Sequence, residues 1–200
     1  MLEIVSRIYN PSAAVRAAKM LEAHYPPHVL AYAQRHGIRV VPLGRSVSFC
    51  QASPRLKELA PHIDTWPTPP AGLFVVQERT AYIRQMSALS VCHEFAHGLD
   101  LALGGGESYL SSSDTDIRSA FSQAAAFVTP YAATAPDEFF AESVRAYVAA
   151  NDRRSPWPAV SPERLYEIDA RMYGIVERLF EGMARAVSGE QLMLTLGGLA

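Results

Sequence analysis

The sequence predicts an α+β fold, with a small mixed sheet packed against a motif-bearing helix and a helix-rich C-terminal half. Three observations point there. The β-patterned runs IRVVPL (38–43), LFVVQ (73–77) and TAYIR (80–84) all lie in the first half of the chain. From residue 86 onward, apolar residues recur at helical spacing instead. At the boundary sits VCHEFAHGLD (91–100), a largely apolar stretch with two histidines four residues apart.

Each element has a local cause. PSAAVRAAKMLEAHY (11–25) has helical apolar spacing, with Pro11 at an early position. Pro26-Pro27 breaks it, a second helix follows over 28–36, and Gly37 ends that one. The run 38–43 is a short strand, and SPRLKELA (53–60) is a helical piece. DTWPTPPAG (64–72) is too rich in proline to be anything but loop. The runs 73–77 and 80–84 read as a hairpin joined through Glu78-Arg79, although that pair is not a favoured two-residue turn. The motif helix covers about 86–103 and stops at Gly104-Gly105-Gly106. GGGESYLSSSD (104–114) is a flexible polar loop, either a plain connector or a cover for a cleft. Ser113 or Asp114 caps a helix over 116–128, which Pro130 ends. Another helix covers 136–150, and NDRRSPWPAV (151–160) is loop. Ser161-Pro162 then opens one long helix, with Leu165, Ile168, Met172, Ile175, Leu179 and Met183 along one face.

The length of 200 residues suits one domain. Its parts are 1–71 with the first helices and strand, 72–150 with the hairpin and motif helices, and 151–200 with the last helix and tail. Hydrophobic residues make up 49% and charged residues 19%, which excludes a disordered chain. A net charge of −2 with no long Lys/Arg run argues against nucleic acid or an anionic membrane as partner. No apolar run reaches the roughly 20 residues of a membrane span, and the tail LMLTLGGLA (192–200) is too short for one. MLEIVSRIYN (1–10) is no secretory leader. The compartment therefore stays open: cytoplasmic, or secreted or delivered with a leader removed. Two cysteines, Cys50 and Cys92, are too few for a disulfide framework or a cysteine-rich metal site and read as buried free thiols.

On a helix, residues four apart share a face, so His93 and His97 can aim two imidazole nitrogens at one point with Glu94 beside them. This HExxH arrangement suits two zinc ligands and a general base. A catalytic zinc needs a third protein ligand and an open position for water. All six histidines lie at or before His97, so an acidic residue must serve. DEFFAES (137–143) offers Glu138 and Glu142, one turn apart on a helix that Phe139, Phe140 and Ala141 can bury. Either carboxylate is costly to bury without a cation or donor. Cys92 points about 100° away from His93 and reads as a core thiol.

HEFAHGLD together with YAATAPDEFFAES resembles the catalytic domain of anthrax lethal factor and the related bacterial Pro-Pro endopeptidases. The shared pattern is an HExxH helix, then a tyrosine seven residues before a glutamate in an E-F-F-A-E-like helix; here these are Tyr131 and Glu138. The likeness covers roughly 72–150. It implies a zincin-like metallopeptidase fold of the gluzincin type and one Zn2+ held by His93, His97 and Glu138. It implies that Glu94 polarises the attacking water and that Tyr131 donates to the oxyanion. Glu142 would stand behind a zinc ligand. Glu142 and Asp100 are both candidates to satisfy the outer nitrogen of a ligating imidazole; for Asp100, plain helix-end polarity is an equal reading.

The implied activity is that of a zinc metalloendopeptidase, toxin- or effector-like or secreted, acting on a peptide or protein substrate. It is expected to be monomeric, with substrate lying extended beside a strand edge, TAYIR being the candidate. Two alternatives stand beside it: an intracellular regulatory metalloprotease that cleaves a repressor, and a non-catalytic zinc-stabilised binding module.

Overall fold

A computed structural model describes residues 11–197, with side chains through residue 189. The N-terminal run 1–10 and the last three residues of the apolar tail, 198–200, lie outside the described residues. Two helices come first, α1 (Pro11–His24) and α2 (Pro27–Arg35), separated at Pro26, whose ψ of 148° is extended. Gly37, at φ +72°, turns the chain into β1 (Arg39–Pro42). Ser48 caps a short α3 (Phe49–Ala52) through a reciprocal box with Gln51, and Ser53 caps α4 (Pro54–Leu59). The hairpin follows as β2 (Gly72–Val75) and β3 (Thr80–Ile83). Its turn is a 3-10 turn at Val76–Glu78 with Arg79 left-handed at φ 50°, which is how the unfavoured Glu-Arg pair is accommodated.

The three strands form a mixed sheet in the order β1-β3-β2, with β3 parallel to β1 and antiparallel to β2. TAYIR is therefore the central strand, not an edge. All four residues of β3 are buried, and both its sides carry ladder bonds, so it has no free edge for a peptide. Of the two edge strands, β2 is the one whose Gly72 lies against Glu94 of the motif.

Helix α5 (Ala88–Leu103) lies on the sheet. Ser87 caps it by accepting from the Ser90 N–H. The approach is closest at Gly98, where a Cβ would sit 2.5 Å from Ile38 Cγ2 and 3.2 Å from the Phe74 ring, so only glycine fits there. Every residue of α5 from Ser90 to Ala102 is buried, His93, Glu94, His97 and Asp100 among them. Buried ionisable groups at that density must be paired or bound.

The segment after α5 contains α6 (Leu110–Ser113), and α7 (Thr115–Gln123) is capped by Asp114. The loop expected over 104–114 is pinned at several points. The Gly106 N–H donates to Leu101 O, and Arg79 Nη2 donates to Gly106 O at 3.3 Å. Helix α7 stops short of the predicted 128 because Ala124 turns extended. That turn brings Phe127 within 5.7 Å of Phe121 and 5.6 Å of Phe139, an aromatic cluster that outweighs local helix propensity.

Helix α8 (Pro136–Tyr147) packs along α5 and buries Phe139, Phe140, Ala141 and Val144 in the main core. Each such phenylalanine contributes roughly 1.5–3 kcal/mol of burial. The long C-terminal helix is broken into α9 (Pro162–Ile168) and α10 (Ala170–Gly197). Asp169 makes the break, leaving helical geometry at φ −149°, ψ 83° and accepting from the Met172 N–H at 2.8 Å. Both cysteines are free thiols; Cys92 is buried as expected, but Cys50 is only half-buried. Among the described residues no helix is long and apolar enough to cross a membrane.

Candidate metal centre

The two histidines of α5 bring their Nε2 atoms within 3.2 Å of each other. From the first turn of α8, Glu138 places Oε2 3.1 Å from His93 Nε2 and 3.4 Å from His97 Nε2. These three are the group among the described residues whose ligand atoms converge this way. A tetrahedral site with metal–ligand distances of about 2.0–2.1 Å has ligand–ligand edges of about 3.3 Å. The observed triangle matches that edge on every side. Glu138 Oε2 is buried and accepts no well-angled hydrogen bond despite its nearness to both imidazoles. A buried carboxylate oxygen facing two imidazole nitrogens suits a divalent cation at the centre of the three, and nitrogen-plus-carboxylate donors suit zinc.

Glu142 stands one turn further along α8, away from the triangle. Its Oε1 lies 2.8 Å from His93 Nδ1. The same carboxylate accepts from Thr129 Oγ1 at 2.6 Å and from Arg145 Nε and Nη2, both at 2.8 Å. Burial works to raise the Glu142 pKa, but His93 and Arg145 hold it well below the usual carboxylate range. A carboxylate on Nδ1 fixes the His93 ring orientation and leaves Nε2 facing the triangle. Burial lowers the His93 pKa, yet the nearby carboxylates of Glu138, Glu142 and Glu94 together push it up to about 10. Burial likewise raises the Glu138 pKa, and the two histidines more than offset this, keeping it ionised.

Asp100 is not placed to support an imidazole in this way. Its Oδ1 accepts the Ser111 N–H at 2.8 Å and its Oδ2 accepts the Ser111 hydroxyl at 2.5 Å, so it ties α5 to α6. Burial raises its pKa to about 6 against the lowering effect of Ser111. Among the described residues, buried His97 Nδ1 has no hydrogen-bond partner. The Tyr109 ring lies 5.8 Å from that imidazole.

Glu94 is buried beside the triangle. Its carboxylate accepts from the Phe74 backbone N–H of β2, and its side chain fills the space over Gly72, where a Cβ would come within 2.6 Å of Glu94 Cγ. Burial raises its pKa, and the two histidines only partly offset this. Tyr131, on a 3-10 turn before α8, donates its hydroxyl to Glu138 Oε1 at 2.7 Å. Its ring is 5.6 Å from that of His93. Burial and the Glu138 carboxylate raise its pKa, so it remains an O–H donor. A cavity of about 190 Å3 opens beside these groups, lined by Gly72, His93, Glu94, Tyr131, Arg145 and Trp157 among others.

The five residues proposed for chemistry from sequence, His93, Glu94, His97, Tyr131 and Glu138, thus come together in one place, and Glu142 backs them. Sequence reasoning missed Thr129, Arg145 and Trp157. Arg145 had a local signal, lying three residues after Glu142 on one helix face. Trp157 had none, because only the loop's path brings it to the cavity.

No family model and no curated protein sequence matches the chain. Among solved structures, the chain is similar to the Pro-Pro endopeptidase PPEP-2 from Paenibacillus alvei, at 18% identity and a TM-score of 0.62. That match covers 88% of this chain and 96% of the other. The likeness is one of fold: a helix-rich α+β architecture with a small mixed sheet. It supports the Pro-Pro endopeptidase side of the resemblance at the level of fold, and does not support the lethal-factor side.

Proposed function

We propose that this chain is a zinc metalloendopeptidase that hydrolyses a peptide bond in a protein or peptide substrate, with one Zn2+ held by His93, His97 and Glu138. The observation that carries this reading is the triangle of His93 Nε2, His97 Nε2 and Glu138 Oε2 at 3.1–3.4 Å, with Glu94 and Tyr131 bordering it. Zinc in such a site supplies Lewis acidity and brings the pKa of a water down to about 7. The rest of the chemistry falls to the chain. Glu94, buried beside the triangle, would accept the proton of the attacking water and return it to the leaving amine. Tyr131 turns its O–H toward the substrate carbonyl oxygen as negative charge develops there. Glu142, held by Arg145 and Thr129, keeps the His93 imidazole aimed. Extended substrate is best accommodated along β2, whose Gly72 and Phe74 already touch Glu94.

A non-catalytic zinc module is the weaker reading, since structural zinc is usually closed by four protein ligands and three converge among the described residues. Cleavage of a repressor by the same chemistry is a choice of substrate rather than a different site. The deciding experiment compares wild type with Glu94→Gln on a peptide library, with metal analysis of both. Equal zinc with cleavage lost in the variant supports the reading; equal cleavage by both removes Glu94 as the base, and no cleavage by zinc-loaded wild type removes the enzyme.

A further inference from the structure

Building on the metallopeptidase reading, we propose that Trp157 is a specificity-determining residue: with Tyr131 it walls a subsite that takes one uncharged, apolar substrate side chain beside the scissile bond.

The backbone of the 151–160 loop is tied down on both sides of that tryptophan. Its neck is closed by a reciprocal pair, Asn151 Nδ2 to Val160 O and Val160 N–H to Asn151 Oδ1, both at 2.8 Å. Inside the loop, Asp152 Oδ1 accepts the Arg154 N–H at 2.9 Å, and Ser155 Oγ accepts the Trp157 N–H at 3.1 Å. Pro156 and Pro158 flank the tryptophan and restrict the backbone on both sides. The loop's root is fixed by Arg145, whose Nη1 donates to Ala150 O at 2.9 Å while its Nε and Nη2 clamp Glu142. One buried arginine therefore joins the metal centre to the base of the loop.

Trp157 is 44% exposed, so the core does not explain it. Its ring lies 6.1 Å from that of Tyr131, and both line the cavity that contains Glu94 and His93. A side chain adjacent to a carbonyl placed at those two groups is the occupant that reaches it. The volume of about 190 Å3 suits one branched or ring side chain, since a dry cavity of about 150 Å3 admits benzene. Pro70, Ala71 and Leu89 supply more apolar lining. Glu142 and Arg145 already satisfy each other and Glu94 adds a carboxylate to the lining, so an acidic side chain would lose water and gain no partner. A rigid, preformed wall leaves little to order on binding.

The test uses the zinc-loaded full chain in a Trp66→Phe background, which leaves Trp157 as the sole tryptophan reporter. Glycine, leucine and glutamate hydroxamates are titrated, with Trp157 emission, inhibition of peptide cleavage and isothermal calorimetry as readouts. Leucine hydroxamate is expected to bind about tenfold or more tighter than glycine hydroxamate and to shift Trp157 emission to the blue. Glutamate hydroxamate is expected to gain nothing over glycine. In Trp157→Ala the leucine-over-glycine ratio, read by calorimetry, is expected to fall below about threefold. Asn151→Ala, which opens the loop neck but keeps the indole, is expected to lower it partway. A ratio unchanged by Trp157→Ala in a protein that still binds glycine hydroxamate overturns the subsite alone. No binding of glycine hydroxamate rejects the metal site and the subsite with it.

Discussion

His93 Nδ1 and Glu142 Oε1 lie 2.8 Å apart, and Arg145 grips the same carboxylate through two nitrogens from within the core. The pair sets a ranking. Glu138→Ala removes a metal ligand and is expected to abolish zinc retention on dialysis. Glu142→Ala removes only the support of a ligand and is expected to cost about 10–100-fold in zinc affinity. Competition against a fluorescent chelator reads both; the reverse order would mean that Glu142, not Glu138, is the ligand.

Arg145→Ala leaves the Glu142 charge buried with two of its four hydrogen bonds gone. Breaking such a pair typically costs about 3–5 kcal/mol. Urea denaturation of the zinc-free protein should show that loss; a change below about 1 kcal/mol would mean that the site relaxes or admits water.

Tyr131→Phe keeps the ring against His93 and Trp157 but removes the hydroxyl. Loss of one oxyanion donor is expected to lower kcat roughly a hundredfold with zinc content unchanged. Steady-state kinetics with a matched zinc assay decides it; an unchanged kcat would reduce Tyr131 to packing.

Gly72→Ala places a methyl group 2.6 Å from Glu94 Cγ, so either the strand or the glutamate must move. The expected result is a tenfold or greater fall in kcat/KM with zinc occupancy retained, because misplacement of about 1 Å at a reacting group is enough for such losses. Wild-type kinetics in this variant would show that the edge of β2 is not coupled to the base.

Asp64 accepts the backbone N–H groups of Phe49 and Cys50 and pairs with Arg84. Burial acts to raise its pKa, but those donors outweigh burial and lower it from 3.8 to about 2. The sign follows from the depressed folded value: its contribution is complete above about pH 4 and is lost as pH falls through about 2. Asp64→Asn should therefore be less stable than wild type at neutral pH and converge with it in acid. Thermal melts from pH 7 to pH 2 measure the gap; a constant gap would mean that Asp64 does not titrate with folding.

The α+β class, the motif helix and the hairpin were legible because each rests on local pattern: helical apolar spacing, β-branched runs, and Gly or Pro at the ends. His93, Glu94 and His97 were legible for the same reason, since one helical turn fixes their relation whatever surrounds them. Glu138, Tyr131 and Glu142 were readable only as offsets within a second segment, because the distance between α5 and α8 is set by side-chain packing. The errors have the same origin. TAYIR looked like an edge until the sheet order put β1 and β2 on either side of it, and Asp100, open between histidine support and helix-end polarity, accepts from Ser111. Asp169 broke a helix whose apolar stripe ran straight through it.

What the sequence by itself determined is the set of groups able to hold a cation and move a proton, because residue type and helical spacing are local properties. Only tertiary structure decided which carboxylate faces the imidazoles, which strand borders the base, and that Trp157 stands at the cavity. Those relations come from the packing of two helices, a sheet and a closed loop, and no local spacing encodes the distances between them.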